Sequence, residues 1–315
     1  MIDTIIIKKK MTNNSDKFPS AGPKYIYVGF SKCRTKTIKQ AFQQLNYTVA
    51  DHNEHMLHHH DIWLKIIDKK SHLTQTKIIE ILQKTYKNYD VLLAFPIYMF
   101  WKEIHAAFPE AKVIFYQREF DNWYVSAEKH VEQIYKVKGE YFPPDSLYLS
   151  YLYFFSPTIY KCELWNKKLG SINAQNSLSV KSLLFGKYNM MCQVMDQPKF
   201  LVERRHRMHA ADILTNCPKD KLILLNDRSD SEDFTWKKFC QKVGIPTNRI
   251  PQDCDPNGFP HVNKSGSFVK DQFANVKSEF DMIYRRERRE NVIKYLSYGF
   301  VMCGFYYFVS RSLKK

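Results

Sequence analysis

Residues 24–45 read KYIYVGFSKCRTKTIKQAFQQL, and the fold follows from how this stretch divides. Tyr25 to Gly29 is a short uncharged run of aromatic and β-branched residues, which predicts a strand covered on both faces. From Ser31 to Thr37 the chain is polar and basic. Ile38, Ala41, Phe42 and Leu45 then recur at i, i+3, i+4 and i+7, the stripe of an amphipathic helix. Strand, basic turn and helix amino terminus together gather free backbone N–H groups around an anion. Lys32, Arg34 and Lys36 add cations, Thr35 and Thr37 add hydroxyls, and Cys33 lies between them. The spacing is not that of a triphosphate loop, G-x-x-x-x-G-K-[ST]. Gly29 is present, but Arg34 holds the second glycine position and Lys36-Thr37 comes one residue late. Taken alone, the stretch suits either an anion-binding loop or a basic turn of any α/β domain.

With 315 residues, 44% of them hydrophobic, the chain can bury one large α/β domain with appendages. Its 22 Phe and 20 Tyr exclude disorder for the bulk of it. A formal charge of +16 favours anionic partners such as a nucleotide, a sulfated or phosphorylated substrate, or an acidic membrane face. The lysines are spread along the chain and no nucleic-acid motif is present, so no nucleic acid is expected as a partner. Seven cysteines, at 33, 162, 192, 217, 240, 254 and 303, are odd in number and widely spaced without a C-x-x-C pair. That pattern predicts reduced thiols and a cytoplasm-facing domain. Residues 1–23 read as a flexible leader, since Ile5 to Ile7 before Lys8-Lys9-Lys10 is too short for a signal peptide.

The carboxyl end is different. Tyr295 to Val309 is uncharged; Arg285, Arg286, Arg288 and Arg289 precede it, and Arg311, Lys314 and Lys315 follow. A span needs roughly 20 apolar residues, a length reached here only if Lys294 snorkels to the headgroups. Tyr295, Tyr298, Tyr306 and Tyr307 suit interfacial belts. Residues 281–315 are therefore expected to form a C-terminal membrane-anchor helix, with a buried or surface-lying helix as the alternative.

Between these ends the chain alternates apolar runs with helical stripes. Strands are predicted over Thr48 to Ala50, Val91 to Ala94, Lys112 to Gln117 and, as a buried one, Leu222 to Leu225. Helices are predicted over Thr76 to Tyr86, Tyr98 to Phe108, Phe200 to Leu214 and Phe234 to Val243, the last closed by Gly244. His52, His55 and His58 to His60 invite a metal reading, but no ligand-spaced partner accompanies them, so a solvated polar helix start is expected. Arg118 stands at the carboxyl end of the Lys112 strand, Asp121 can cap the following helix, and Ser126 lies within it. Ligands of open parallel sheets sit outside the carboxyl ends of the strands, so Gly29 and Arg118 would share one rim. Residues 138–199 lack a clear period and read as an insertion within a domain spanning 24–280. A Pro-, Asn- and Gly-bearing loop over 245–270 carries Phe259-Pro260-His261-Val262-Asn263.

These residues carry a resemblance. The run Gly29 to Ile38 is similar to the 5′-phosphosulfate loop of P-loop sulfotransferases, and Arg118 with Ser126 resembles the pair that holds the donor's 3′-phosphate. The stretch from Phe100-Trp101-Lys102-Glu103 to Trp123-Tyr124, residues 222–246 and Phe259 to Asn263 resemble the same branch, many of whose members end in a hydrophobic anchor. The likeness covers 25 to about 135 and 200–270. It implies a three-layer P-loop NTPase-like α/β fold with a mostly parallel sheet, plus the C-terminal hydrophobic helix. It also implies transfer of a sulfuryl group from 3′-phosphoadenosine 5′-phosphosulfate (PAPS) to an unknown hydroxyl or amine acceptor, with bisphosphate (PAP) as product and no metal. Lys32 through Thr37, Arg118 and Ser126 would bind the nucleotide. Lys32 would stabilise the leaving oxygen, and His52 or Glu54 would be the base, by position. Two departures stand out: Arg34 replaces the loop glycine, and Ala94-Phe95-Pro96 replaces an acid-Phe/Trp-Pro motif. Three functions follow in order: a membrane-anchored sulfotransferase, a catalytically impaired binding protein of the same fold, and a nucleotide kinase or NTPase with a degenerate loop. The third needs an acid for Mg²⁺ after a core strand, and Asp227 is the candidate.

Overall fold

Five parallel strands stand in the order β2-β3-β1-β4-β5, with β1 at the centre. The computed structural model describes residues 22–69, 73–141, 197–226, 235–252 and 277–290, with isolated positions between 156 and 275. Its strands are β1 (Tyr25–Tyr27), β2 (Val49–Ala50), β3 (Val91–Leu92), β4 (Lys112–Gln117) and β5 (Leu222–Asn226). The helices are α1 (Thr35–Gln44), α2 (His52–His58), α3 (His60–Lys69), α4 (Gln75–Tyr86), α5 (Trp101–Ala107), α6 (Phe120–Tyr141), α7 (Lys199–Asn216) and α8 (Trp236–Val243). Residues 277–290 are helical as well and are called α9.

Every residue of β1 is buried, as its unbroken apolar run requires of a central parallel strand. Its register runs Tyr25 to Lys112, Ile26 to Val113 and Tyr27 to Ile114 on β4, with β3 on its other side. The chain leaves β1 toward β2 and leaves β4 toward β5, in opposite directions along the sheet. The carboxyl ends of β1 and β4 therefore flank a topological switch point, where a doubly wound sheet leaves a crevice. Helix α1 buries Thr37, Ile38, Ala41 and Phe42 against the sheet, which is the predicted stripe.

Four expectations are corrected, the last of them the Asp121 cap of α6. Helix α1 begins at Thr35 rather than Ile38, so Thr35, Lys36 and Thr37 are its first turn. Among the described strands β5 stands at the edge, and Leu224 is 43% exposed where a buried strand was predicted. The histidine stretch forms two helices, α2 and α3, yet its face is not solvated, for His55 and His60 are both buried. His55 bonds the Leu93 carbonyl at 3.2 Å through Nε2 and the Tyr86 hydroxyl at 3.0 Å through Nδ1. Trp63 Nε1 donates to the same hydroxyl at 2.8 Å, so His55 is a satisfied core residue. Among the described residues no group of His, Cys, Asp and Glu could hold a metal ion.

Helix α6 starts at Phe120, ahead of the predicted cap, and Asp121 instead takes the Lys199 ammonium at 2.8 Å, tying α6 to α7. Asp212 on α7 accepts from Trp101 Nε1 at 3.0 Å and Lys102 Nζ at 2.5 Å, tying in α5. The predicted insertion at 138–199 lies mostly outside the described residues, although α6 continues through its first few positions. The leader up to residue 21, Asp227, His261 to Asn263 and the apolar run from 292 onward also lie outside them. No described helix is long and apolar enough to cross a membrane.

Candidate functional site: a cationic loop at the switch point

The loop leaves β1 beneath its own aromatic support. The Tyr27 hydroxyl donates to the Cys33 carbonyl, holding the far side of the loop down onto the strand. Gly29 leaves room for that ring, since a Cβ there would come within 2.6 Å of the hydroxyl. Lys32 and Arg34 both adopt the left-handed region, with φ of 72° and 55°. Left-handed residues ahead of a helix build the backbone concavities that bind anions. In a non-glycine residue each costs on the order of 1–2 kcal/mol, so the rest of the loop must hold them there.

That hold comes from β4 and α6. Arg118 Nη1 donates to the Lys32 carbonyl at 2.7 Å, and Trp123 Nε1 donates to the Ser31 carbonyl at 2.8 Å. From α7, His209 bonds the Val28 carbonyl at 2.8 Å through Nε2. Donors from three parts of the chain thus take the loop's carbonyls, while the Cys33 N–H closes a turn onto the Phe30 carbonyl at 3.0 Å. Arg34 is the N-cap of α1 and supplies no side-chain cap, and the first turn of α1 carries no acid. Its guanidinium lies instead over the Tyr116 ring, 5.5 Å from the centroid. Cys33 and Thr37 are buried, while Thr35 is partly exposed at the helix start.

The lysines differ sharply. Lys36 Nζ lies 2.7 Å from Asp51 Oδ2, and Lys39 Nζ lies 2.8 Å from the same oxygen. Asp51 is fully buried and caps α2, accepting from Asn53 N at 2.9 Å. Burial pushes its carboxyl up, but Lys36, the Glu54 contact and Lys39 outweigh that and hold it well below the usual range. Lys32 has no carboxylate partner among the described residues. Burial and the neighbouring Arg118 guanidinium lower its pKa, the signature of a cation placed without a counter-charge.

The predicted bases separate as well. Glu54 accepts from the Asp51 backbone N–H at 3.0 Å and lies 3.6 Å from Lys39 Nζ, closing a capping box. Burial and the Asp51 carboxylate raise its pKa. His52, at the first position of α2, hydrogen-bonds the Phe95 carbonyl, and burial together with Lys36 lowers its pKa to about 4. Beside it, Ala94 takes a φ of 69°, a conformation that a small acid or amide tolerates better than alanine does. Ser126 follows Trp123 by three residues on α6, on the face that carries the loop contact.

Asp51, Trp123 and His130 stand at this site and were given no role from sequence. Asp51 had a signal, for Asp51-x-x-Glu54 at a strand end is a capping box. Trp123 had its place in the stretch that resembles the family, and His130 had only its i, i+7 spacing from Trp123 across Ser126.

A family model described as a sulfotransferase domain matches residues 24–268. No curated protein matches the chain. Among solved structures, a sulfotransferase from Alicyclobacillus acidocaldarius aligns with 84% of this chain and 96% of its own, at 12% identity and a TM-score of 0.34.

Proposed function

The chain belongs to the sulfotransferase domain family, and on that premise we propose that it binds PAPS at the β1–α1 loop and transfers the sulfuryl group to a hydroxyl or amine acceptor. The observation that carries the reading is Lys32, a partly buried cation pressed against Arg118 and without a carboxylate of its own among the described residues. An anionic ligand would supply the missing charge. The residues present fit the donor. The uncapped start of α1 and Lys32 suit its 5′ side, and Arg118 with Ser126 suits the 3′-phosphate.

The donor supplies an activated sulfuryl group; the chain has to orient it, balance charge and move one proton. Lys32 offers a short-range cation where charge grows on the leaving oxygen. Lys36 acts less directly, since Asp51 already holds its ammonium. His52 offers a neutral ring at pH 7, but with its pKa held at about 4 it is a weak base, and Glu54 is engaged by the cap and Lys39. The bisphosphate product would occupy the same residues. Calorimetric titration with adenosine 3′,5′-bisphosphate tests the site, and binding that is unchanged by magnesium is the expected result. Binding of triphosphate that requires magnesium would favour the NTPase alternative instead. Bisphosphate binding without turnover of PAPS by any acceptor would favour a binding protein, which Arg34 and Ala94 keep in view.

The uncharged run Tyr295 to Val309 after four arginines supports a C-terminal membrane anchor, with the domain facing the cytoplasm. Full-length protein should then resist carbonate extraction from membranes. Extraction as complete as that of a chain ending at Asp281 would remove the anchor.

A further inference from the structure

Helix α6 turns one face to the loop, and Trp123 fixes which one, through its bond to the Ser31 carbonyl. His130 follows Trp123 at i+7 and Ser126 at i+4, so all three share that face. The ring is half-buried, and its Nδ1 is sealed from solvent with no hydrogen-bond partner among the described residues. Such an atom is rare in a folded protein unless something completes it. The charged groups acting on the ring are Lys32 from the loop and Lys36 from α1, and no carboxylate among the described residues offsets them. Asp51 is turned to Lys36 and Lys39, and Arg118 stands at the Lys32 carbonyl.

We propose that His130 is a direct ligand of the anion held by the Lys32 loop, and that it binds in the protonated form. Without the anion, burial and the two ammonium groups hold the ring's pKa down to about 3, so it is neutral. A multiply charged anion reverses the field at the ring, because it offsets the lysines and presents negative oxygens of its own. One proton is drawn from solvent as the anion settles, and Nδ1 gains the acceptor it lacks. The inference rests on the nucleotide reading of the loop and adds to it a third kind of nitrogen ligand and a proton in the binding equilibrium. The sign follows from linkage: the bound state holds more protons, so affinity rises as pH falls below the ring's bound-state pKa and levels off only near its free-state pKa of about 3.

Titration of the full-length protein with adenosine 3′,5′-bisphosphate, in buffers of different ionisation enthalpy, counts the protons taken up. Uptake should approach one proton near about pH 6.5, with affinity tightening by up to about tenfold per pH unit below about pH 8. His130→Gln keeps a donor of similar size that cannot titrate, so its uptake should vanish and its affinity at acid pH should fall about tenfold. The ligand's own phosphates take protons near about pH 6. That contribution is common to both proteins, so the difference between them isolates the ring. Wild-type binding without proton uptake, or equal pH slopes for wild type and His130→Gln, would overturn the inference and leave the nucleotide site standing. No binding by the wild type would overturn both. If His130→Gln fails to fold, the wild-type proton count at about pH 7.5, where the ligand's phosphates are almost fully ionised, decides.

Discussion

At the end of β2, Lys36 and Lys39 converge on the buried Asp51 carboxylate, and Glu54 closes the cluster. At the end of β1, Lys32 and Arg118 crowd one short loop, and Lys32 has no acid to answer it among the described residues. The two clusters are neighbours in the chain and similar in composition, yet one is neutralised internally and the other is not. The internally paired cluster holds the fold together: it caps α2 and joins α1 to the end of β2. The other keeps its cost in the free protein, and a ligand of opposite charge would relieve it. Counting charges does not separate a structural site from a binding site. Asking where each counter-charge lies does.

Breaking the paired side should have the largest effect on stability. Asp51→Asn leaves two lysines facing a neutral amide and should cost about 3 kcal/mol in urea unfolding, in the range for breaking a buried ion pair. Because the Asp51 pKa is lowered, its contribution is present above the usual carboxylate range and lost as pH falls through the folded pKa. A loss under about 1 kcal/mol would mean that the cluster is solvated and the contrast unreal.

The unpaired side should answer in the opposite currency. Lys32→Ala should weaken bisphosphate binding by about 1.5–3 kcal/mol, the range for hydrogen bonds to charged groups. Thermal stability should stay level or rise, since a cation beside Arg118 is removed. A fall in stability with binding intact would make Lys32 a structural residue.

The smallest effect is expected at Arg34. Its left-handed backbone costs about 1–2 kcal/mol, which Arg34→Gly would remove. The same change forfeits a cation–π contact of about 0.5–1 kcal/mol and adds glycine's entropy, roughly 0.5–1 kcal/mol. The terms nearly cancel, so stability should move by under about 1 kcal/mol. Binding should move little too, because the guanidinium lies over Tyr116. A tenfold loss of bisphosphate affinity would instead show that Arg34 reaches the ligand.

Much of this arrangement was legible in the chain. β4 is the KVIFYQ run residue for residue, and the stripe of α1 named its own buried face. Both signals are local, because apolar periodicity is set by the element itself. What could not be read depends on partners far along the chain. His55 is buried because Tyr86 and Leu93 satisfy it from 31 and 38 residues away. A polar stretch cannot announce such partners, so it read as solvated. The loop's support is more distant still, with Arg118 reaching Lys32 across 86 residues and Trp123 reaching Ser31 across 92. β5 looked like a core strand because its residues are apolar, but only topology decides which strand stands at the edge.

The claim that the switch-point crevice is a 3′-phosphonucleotide site is tested most directly at Arg118. Wild type and Arg118→Ala should be titrated with adenosine 3′,5′-bisphosphate and with the same nucleotide lacking its 3′-phosphate. The substitution should cost about 1.5–3 kcal/mol more for the first ligand than for the second, any loss common to both reporting release of the Lys32 carbonyl. Equal losses for both ligands, or a wild-type protein indifferent to the 3′-phosphate, would contradict the account.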